Sequence, residues 1–398
     1  MMDAPVLRLT GDRKPQNIED YRALARRRLP SMAWAYIDGG SEDQLTLRAN
    51  RDAFARYSLR SHVLSGHKPT DIGVDLFGTR LDLPILLAPT GFSALAHWTG
   101  ELAAARAAEK AGTRAILSTA ASYSPEEIAQ GTEQDHWYQL YPWVNPATGD
   151  RELVSSLLRR AERSGFAALA ITVDVPVVGN REGERRVGMG LRPVVTPGRL
   201  ASALIRPKWT TNFLLHRRVG ARALVDGGGT GSAVRSARVQ HYHMRPELNW
   251  DDLAWVRDNW QKPMLIKGVL DPDDAQRAVD LGLDGVIVSN HGGRQLDGAP
   301  ASLDALPAIA ERLQGRVPII LDSGVRRGVD VIKALSLGAT AVAIGRPYLY
   351  GLAVGGERGV RDVLEILRAE VLRALTLMGR PGLSSLSRDS LIDSPGLR

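Results

Sequence analysis

The sequence predicts an α/β protein of the (β/α)8 TIM-barrel class. Three observations carry this. Short apolar, β-branched runs alternate with helical patterns, giving eight strand–helix units. Several helical patterns stop at a glycine (Gly112, Gly165, Gly282, Gly315, Gly338), where a left-handed cap residue belongs. Each apolar run also ends in polar residues, and in a barrel those ends gather on one face. A doubly wound sheet is the alternative. It usually carries a Gly-x-Gly-x-x-Gly turn after its first strand, and Pro89-Thr90-Gly91-Phe92-Ser93 is not one.

From Asn17 to Tyr57 the pattern is helical, with Asn17 and Ser41 expected as N-caps. Residues 17–84 are expected to form a helical cap ahead of a barrel over 85–379, within one domain spanning 1–398. Ile85 to Pro89 reads as the first strand and Gly100 to Lys110 as its helix. The next pairs are Ala115 to Ser118 with Pro125 to Gln130, and Trp137 to Tyr141 with Glu152 to Arg163. Strand four, Leu169 to Val173, runs into a long segment expected to be irregular, a basic insertion over 192–246. The helical pattern resumes from Asp251 to Asn259. Met264 to Lys267 precedes Pro272 to Asp280, and Val286 to Ser289 precedes Leu303 to Leu313. Ile319 to Asp322 precedes Val329 to Leu337, and Ala341 to Ile344 precedes a helix from Arg358 to Met378.

Hydrophobic content of 44% and charged content of 24% suit a soluble globular chain with a sizeable core. There is no cysteine, which removes disulfides, thiolate metal sites and cysteine nucleophiles and fits a reducing compartment. No apolar run approaches membrane-spanning length and the opening residues lack a signal-type apolar stretch, so the expected location is cytoplasmic. The net charge of +7 is unevenly spread: Arg192 to Arg245 holds ten basic residues and one acidic residue, Asp226. Such a stretch suits an anionic partner, namely a membrane surface, nucleic acid or another protein; a solvated insert is the bland alternative.

The stretch Ser289-Asn290-His291-Gly292-Gly293-Arg294-Gln295-Leu296-Asp297 follows a buried strand and carries the chemistry. A histidine takes a proton near neutral pH, and an arginine clamps a carboxylate with two parallel hydrogen bonds. A glycine-rich turn with a solvated Arg is the competing reading. Against it stand the other strand ends, which deliver Thr90, Ser118, Gln139 with Tyr141, Thr172 with Asp174, Lys267, Asp322, and Gly345 with Arg346. Asp322-Ser323-Gly324-Val325-Arg326 and Gly345-Arg346 end strands seven and eight, where barrels often bind phosphate. Lys267 is compatible with a Schiff-base lysine, a phosphate ligand or a fixed positive charge beside a cofactor. Asp174 is of the type that orients an imidazole base. His241-Tyr242-His243 has metal-binding residue types but no nearby carboxylates, and is expected on a surface loop with no metal.

With these residues assembled, the chain resembles the FMN-dependent α-hydroxy acid dehydrogenases and oxidases, and within them most resembles the bacterial L-lactate dehydrogenases. Glycolate oxidase and mandelate dehydrogenase are further members. The likeness runs from about Asp20 to Leu386 and is interrupted in the insertion. It rests on the motif at 289–297, Ala-Pro-Thr-Gly at 88–91, Gln-Leu-Tyr at 139–141, Thr-Val-Asp at 172–174, Ile266-Lys267-Gly268, and Asp-Ser-Gly-Val-Arg-Arg-Gly at 322–328. The resemblance implies that His291 is the base, with Asp174 its partner. It implies that Arg294 and Arg181 grip the substrate carboxylate, with Tyr36 and Tyr141 completing the pocket. Lys267 would sit at the flavin N1/O2 edge. Pro89, Thr90, Gly91, Ser118, Gln139 and Thr172 would hold the ring, Asp322, Ser323, Gly324, Val325, Arg326, Gly345 and Arg346 the phosphate, and Ser289 is a further cofactor-binding residue. Gly91 stands where many oxidases of the family carry Ala, which favours a dehydrogenase. Ala120 and Phe92 would shape the side-chain pocket, leaving room beyond hydrogen and favouring lactate over glycolate. An oxidase using O2 and a mandelate-type dehydrogenase are the alternatives, with a non-catalytic FMN module more remote. The resemblance further implies a homotetramer, a quinone acceptor and attachment of the insertion to anionic lipid on the inner membrane face, rather than to nucleic acid.

Overall fold

Apolar runs too short to span anything alone must pair, and here they pair with one another in a ring. The computed structural model describes residues 14–190, 194, 196–225 and 231–394. Arg192 and Asp226 of the basic stretch, and most of the opening segment, lie outside these residues. The barrel strands are β1 (Ile85–Leu87), β2 (Ile116–Ser118), β3 (Trp137–Leu140) and β4 (Ala168–Thr172), then β5 (Met264–Val269), β6 (Gly285–Val288), β7 (Ile319–Leu321) and β8 (Ala341–Ile344). Each pairs in parallel with its chain neighbour, and β8 pairs with β1 through Ala343↔Leu86. A single parallel bridge, Leu87↔Ala115, closes the ring between β1 and β2.

Side chains alternate across a strand, so one barrel strand feeds two cores. Leu86, Ile116, Ala170, Leu265, Ile287 and Ile320 pack inside the ring, while Leu87, Leu117, Leu169 and Val286 face the surrounding helices. The interior is plugged by a hairpin, Val74–Leu76 with Thr79–Leu81, whose Leu76 and Leu81 join that inner cluster. Its two-residue turn has φ 51° at Phe77 and 75° at Gly78, the left-handed pair that a tight hairpin needs. Phe77 lies 5.5 Å from Trp137, the first residue of β3, so the plug fills the N-terminal strand ends and leaves the C-terminal ends open.

Four elements differ from the sequence expectation. The N-terminal cap is helical over Ile18–Arg28, Ser31–Asp38 and Leu45–Asp52, but from Tyr57 it continues as a strand and the plug hairpin. Asn17 caps the first helix as expected. Ser41 does not cap the third. That helix starts at Leu45, and its free N–H groups at Leu45 and Thr46 donate to the Asp297 carboxylate at 3.1 and 2.8 Å. The insertion is not irregular: it forms helices Pro197–Leu204, Pro207–His216 and Gly231–His243. Two of these open with proline at the first turn, where its missing N–H costs nothing. Trp209 and Phe213 turn inward; the Trp209 indole donates to the Leu95 carbonyl at 2.8 Å and stacks on Phe213 at 4.7 Å. The C-terminal helix begins at Arg346, twelve residues early by sequence, and bends at Gly355-Gly356.

Removing the Asp297 carboxylate strips a cap from the helix Leu45–Asp52. Asp297→Ala should therefore lower stability by about 1 kcal/mol, read as a lower urea midpoint with unchanged slope.

Candidate active site

The loop after β6 is organised by backbone conformation. His291, Gly292 and Gly293 have φ of 57°, 69° and 70°, three left-handed residues in succession. Glycine takes this geometry freely; histidine does so at a cost. The glycines are also required for space. A Cβ on Gly293 would lie 2.6 Å from the Leu47 nitrogen, and one on Gly292 2.7 Å from Arg346 Nη1.

The loop sets His291 against the end of β4, where Nδ1 lies 3.0 Å from Asp174 Oδ1. Burial pushes the Asp174 carboxyl up, but His291 and Lys267 outweigh it and hold its pKa below the usual carboxylate range. The carboxylate is thus the acceptor and Nδ1–H the donor, which leaves the lone pair on Nε2. Burial is the main influence on His291 and pushes its pKa down. Asp174 pulls it back up in part, and Lys267 and Arg181 push it down further. The net shift is downward, so the ring is neutral at pH 7.

A hydrogen-bonded circuit fixes the floor beneath it. Lys267 Nζ, buried at the end of β5, donates to Ser289 Oγ at 2.6 Å and to Asp322 Oδ2 at 2.7 Å. Ser289 Oγ also accepts from the His291 backbone at 3.1 Å. The Ser323 hydroxyl donates to Asp322 Oδ1 and accepts from the Gly292 N–H. Strands β5, β6 and β7 are thereby tied at their tips.

Arg294 lies over the Tyr36 ring at 4.9 Å, with Nη1 donating to the Tyr36 and Gly39 carbonyls. Its Nη2 donates to Glu184 Oε1 at 2.8 Å. Arg181 is held by the Arg294 carbonyl and Gln295 Oε1, at 3.3 and 3.2 Å. Burial raises the pKa of both Tyr36 and Tyr141, keeping their hydroxyls protonated as donors. Tyr36 OH donates to the Gly91 carbonyl at 3.1 Å, and Tyr141 stacks on Trp143.

These groups surround one cavity of about 570 Å³. Of the sequence-predicted residues, Tyr36, Pro89, Thr90, Gly91, Phe92, Ser118, Ala120, Tyr141, Arg181, Lys267, His291 and Arg294 line it. So do the strand-end groups Asp322 to Arg326, Gly345 and Arg346. Gln139, Thr172, Asp174 and Ser289 stand behind its wall and act on lining residues: Ser118 Oγ donates to Gln139, and Thr172 pairs in register with Lys267. Sequence reasoning missed Glu184, Met189, Gln240, His241 and Met244, which also line it. Glu184 follows Arg181 by three residues, a spacing that brings side chains together on a helical turn. His241 is not on a surface loop. It ends the insertion helix Gly231–His243 at the cavity mouth.

The fold and site define a (β/α)8 barrel with one cavity at its C-terminal strand ends, where a His–Asp pair, arginines and glycine-rich backbone meet. The family model described as FMN-dependent dehydrogenase matches residues 25–393. The chain is 39% identical to an L-lactate dehydrogenase of Stenotrophomonas maltophilia over 385 residues, covering 94% of this chain and 98% of that one. It is equally identical to that of Pectobacterium atrosepticum over 381 residues, covering 94% and 96%. Among solved structures, a monotopic membrane (S)-mandelate dehydrogenase matches with a TM-score of 0.91 at 37% identity, over 96% of this chain and all of that one. The chain belongs to the FMN-dependent dehydrogenase family, and its cofactor is FMN.

The residues present fit that group. Gln139 Nε2, Thr172 Oγ1, Arg326 Nε and Arg346 Nε are buried without a hydrogen-bond partner, donors that a polar ring and a phosphate would satisfy. Burial lowers the Arg346 pKa to about 10, which leaves it charged at neutral pH. Gly324, with φ of 95°, has no room for a Cβ against the Asn50 carbonyl at 2.0 Å.

His291 should titrate below the usual imidazole range when its ring is followed by NMR, because burial outweighs Asp174. Asp174→Asn removes the influence that raises it, so the midpoint should move lower still. An upward movement in the variant would contradict the pairing.

Proposed function

We propose that this chain oxidises an L-2-hydroxy acid to the 2-oxo acid, with L-lactate as the substrate of choice. The single observation that carries the reading is the His291–Asp174 pair beside two arginines in one cavity. In this reading Arg181 and Arg294 hold the substrate carboxylate, and the protonated Tyr36 and Tyr141 hydroxyls donate to its oxygens. His291 takes one proton at Nε2, and Asp174 stabilises the imidazolium that results. FMN, when bound, supplies the two-electron acceptor. Lys267 holds positive charge at the floor, and Arg326 and Arg346 hold the phosphate.

Gly91, standing where the resemblance places Ala in many oxidases, supports a dehydrogenase. The wall there is fitted to glycine: a Cβ would lie 2.9 Å from Ala120 Cβ and 3.2 Å from the Tyr36 hydroxyl. Mandelate is the second reading. It is favoured by Ala120, which leaves space in the pocket wall, and by the mandelate dehydrogenase likeness.

The acceptor we propose is a quinone, reached from the inner face of an anionic membrane. Among the described residues no helix is long and apolar enough to cross a bilayer. The insertion helices Pro197–Leu204 and Pro207–His216 nonetheless leave Leu200, Leu204, Ile205, Leu214 and Leu215 exposed. Arg27, Arg28, Arg206 and Lys208 line a second cavity of about 380 Å³, with Ile205 on its rim. Apolar side chains beside cations suit an interfacial attachment. The mandelate dehydrogenase named above is itself a monotopic membrane protein.

His291→Ala should retain FMN yet reduce it with L-lactate roughly 10²–10⁴ times more slowly than the wild type. A near wild-type rate in stopped flow would remove His291 from the role of base.

The wild type should sediment with anionic vesicles at low salt and be released as salt rises. A Leu204→Ser, Leu215→Ser double variant should bind less at every salt concentration. Equal sedimentation of both proteins would return these helices to a solvated role.

A further inference from the structure

The substrate pocket holds an acidic residue that its proposed chemistry does not use. Glu184 Oε1 accepts from Arg294 Nη2 at 2.8 Å, with both side chains 14% exposed. The two Nη1 protons of Arg294 are already given to the Tyr36 and Gly39 carbonyls. A guanidinium has five N–H donors. With three engaged, the Nε–H and one Nη2–H remain, enough for one bidentate carboxylate.

The charges about the catalytic end can be paired one by one. Lys267 is matched by Asp322 at 2.7 Å, and Asp174 is committed to a neutral His291. Arg294 is matched by Glu184. Arg181 makes no ion pair among the described residues; its guanidinium reaches only the neutral Gln295 side chain and the Arg294 carbonyl. Burial weighs most on Arg181, the Arg294 charge opposes it next, and Glu184 relieves it. Of Lys267, Arg294 and Arg181, Arg181 is therefore the one cation without a carboxylate partner among the described residues, and one substrate carboxylate would supply it. A second carboxylate would face Glu184, and Arg185, which also lines the cavity, is exposed to solvent with Nη2 donating to Asn180 Oδ1.

We infer that Glu184 is a specificity-determining residue: it matches the pocket to monocarboxylates and excludes 2-hydroxy dicarboxylic acids. This rests on the proposed reading that Arg181 and Arg294 hold the substrate carboxylate. Glu184 also positions Arg294, so a test must separate charge from geometry.

Glu184→Gln keeps an acceptor for Arg294 and removes the charge; Glu184→Ala removes both. Dissociation constants for propionate and malonate, unreactive acids with one and two carboxylates, are read from the FMN absorbance change of each holoenzyme. Flavin reduction by L-lactate and L-malate is measured in parallel. In Glu184→Gln the preference should move towards the dicarboxylate by about tenfold or more, as loss of one repulsive charge a few ångströms away produces. In Glu184→Ala the same movement should come with weaker binding of both acids. If Glu184→Gln binds both acids with the wild-type ratio, whether or not both weaken, Glu184 is structural only and the inference is overturned. If wild-type holoenzyme neither binds propionate nor reduces its flavin with L-lactate, the carboxylate reading itself has failed.

Discussion

The left-handed run His291–Gly292–Gly293 is the constraint on which the rest of the site depends. A non-glycine residue in this region costs of order 1 kcal/mol or more, and it persists only when its surroundings hold it. Here they do so from three sides. The Gly293 carbonyl accepts from the Ser41 N–H, Asn290 exchanges hydrogen bonds with Asn50, and Asp297 caps the helix Leu45–Asp52. The N-terminal helices thus brace the loop that carries the histidine. Their place in the chain, ahead of the barrel, gives them a role in the site at its far end.

Charge placement follows the same economy. Lys267 and Asp322 are both buried, and an isolated charge there would be costly. Each is satisfied by the other and by a serine hydroxyl from a neighbouring loop, Ser289 or Ser323. The circuit keeps a cation at the cavity floor without leaving it unpaired. It also couples the strand tips, so the positions of Lys267 and His291 are set by one shared atom, Ser289 Oγ.

Much of this was legible in the sequence. The strand tips were, because buried parallel strands are short apolar runs and their first polar residue marks the mouth of the barrel. The Gly-Gly pair beside His291 signalled a special backbone, and Gly and Arg after strands seven and eight signalled the arginine-lined end of the cavity. What escaped depends on distant partners. Asp297 as a cap for a helix that starts 252 residues earlier leaves no local mark, whereas Ser41 offered a local one that the fold does not use. The insertion read as irregular because its prolines look like breakers until they are seen at helix starts. Gly355-Gly356 concealed the first segment of the last helix in the same way. Glu184 looked like one acid among the charges of Arg181 to Arg186, and only the fold brings it to Arg294.

Function as proposed needs a cavity that binds one carboxylate beside a neutral, oriented histidine and a bound flavin. Anaerobic mixing of the FMN-loaded protein with the two enantiomers of lactate tests this most directly, followed at the oxidised flavin absorbance band. Bleaching with L-lactate and none with D-lactate is the predicted result. A flavin that stays oxidised with L-lactate and with every other L-2-hydroxy acid tried would contradict it.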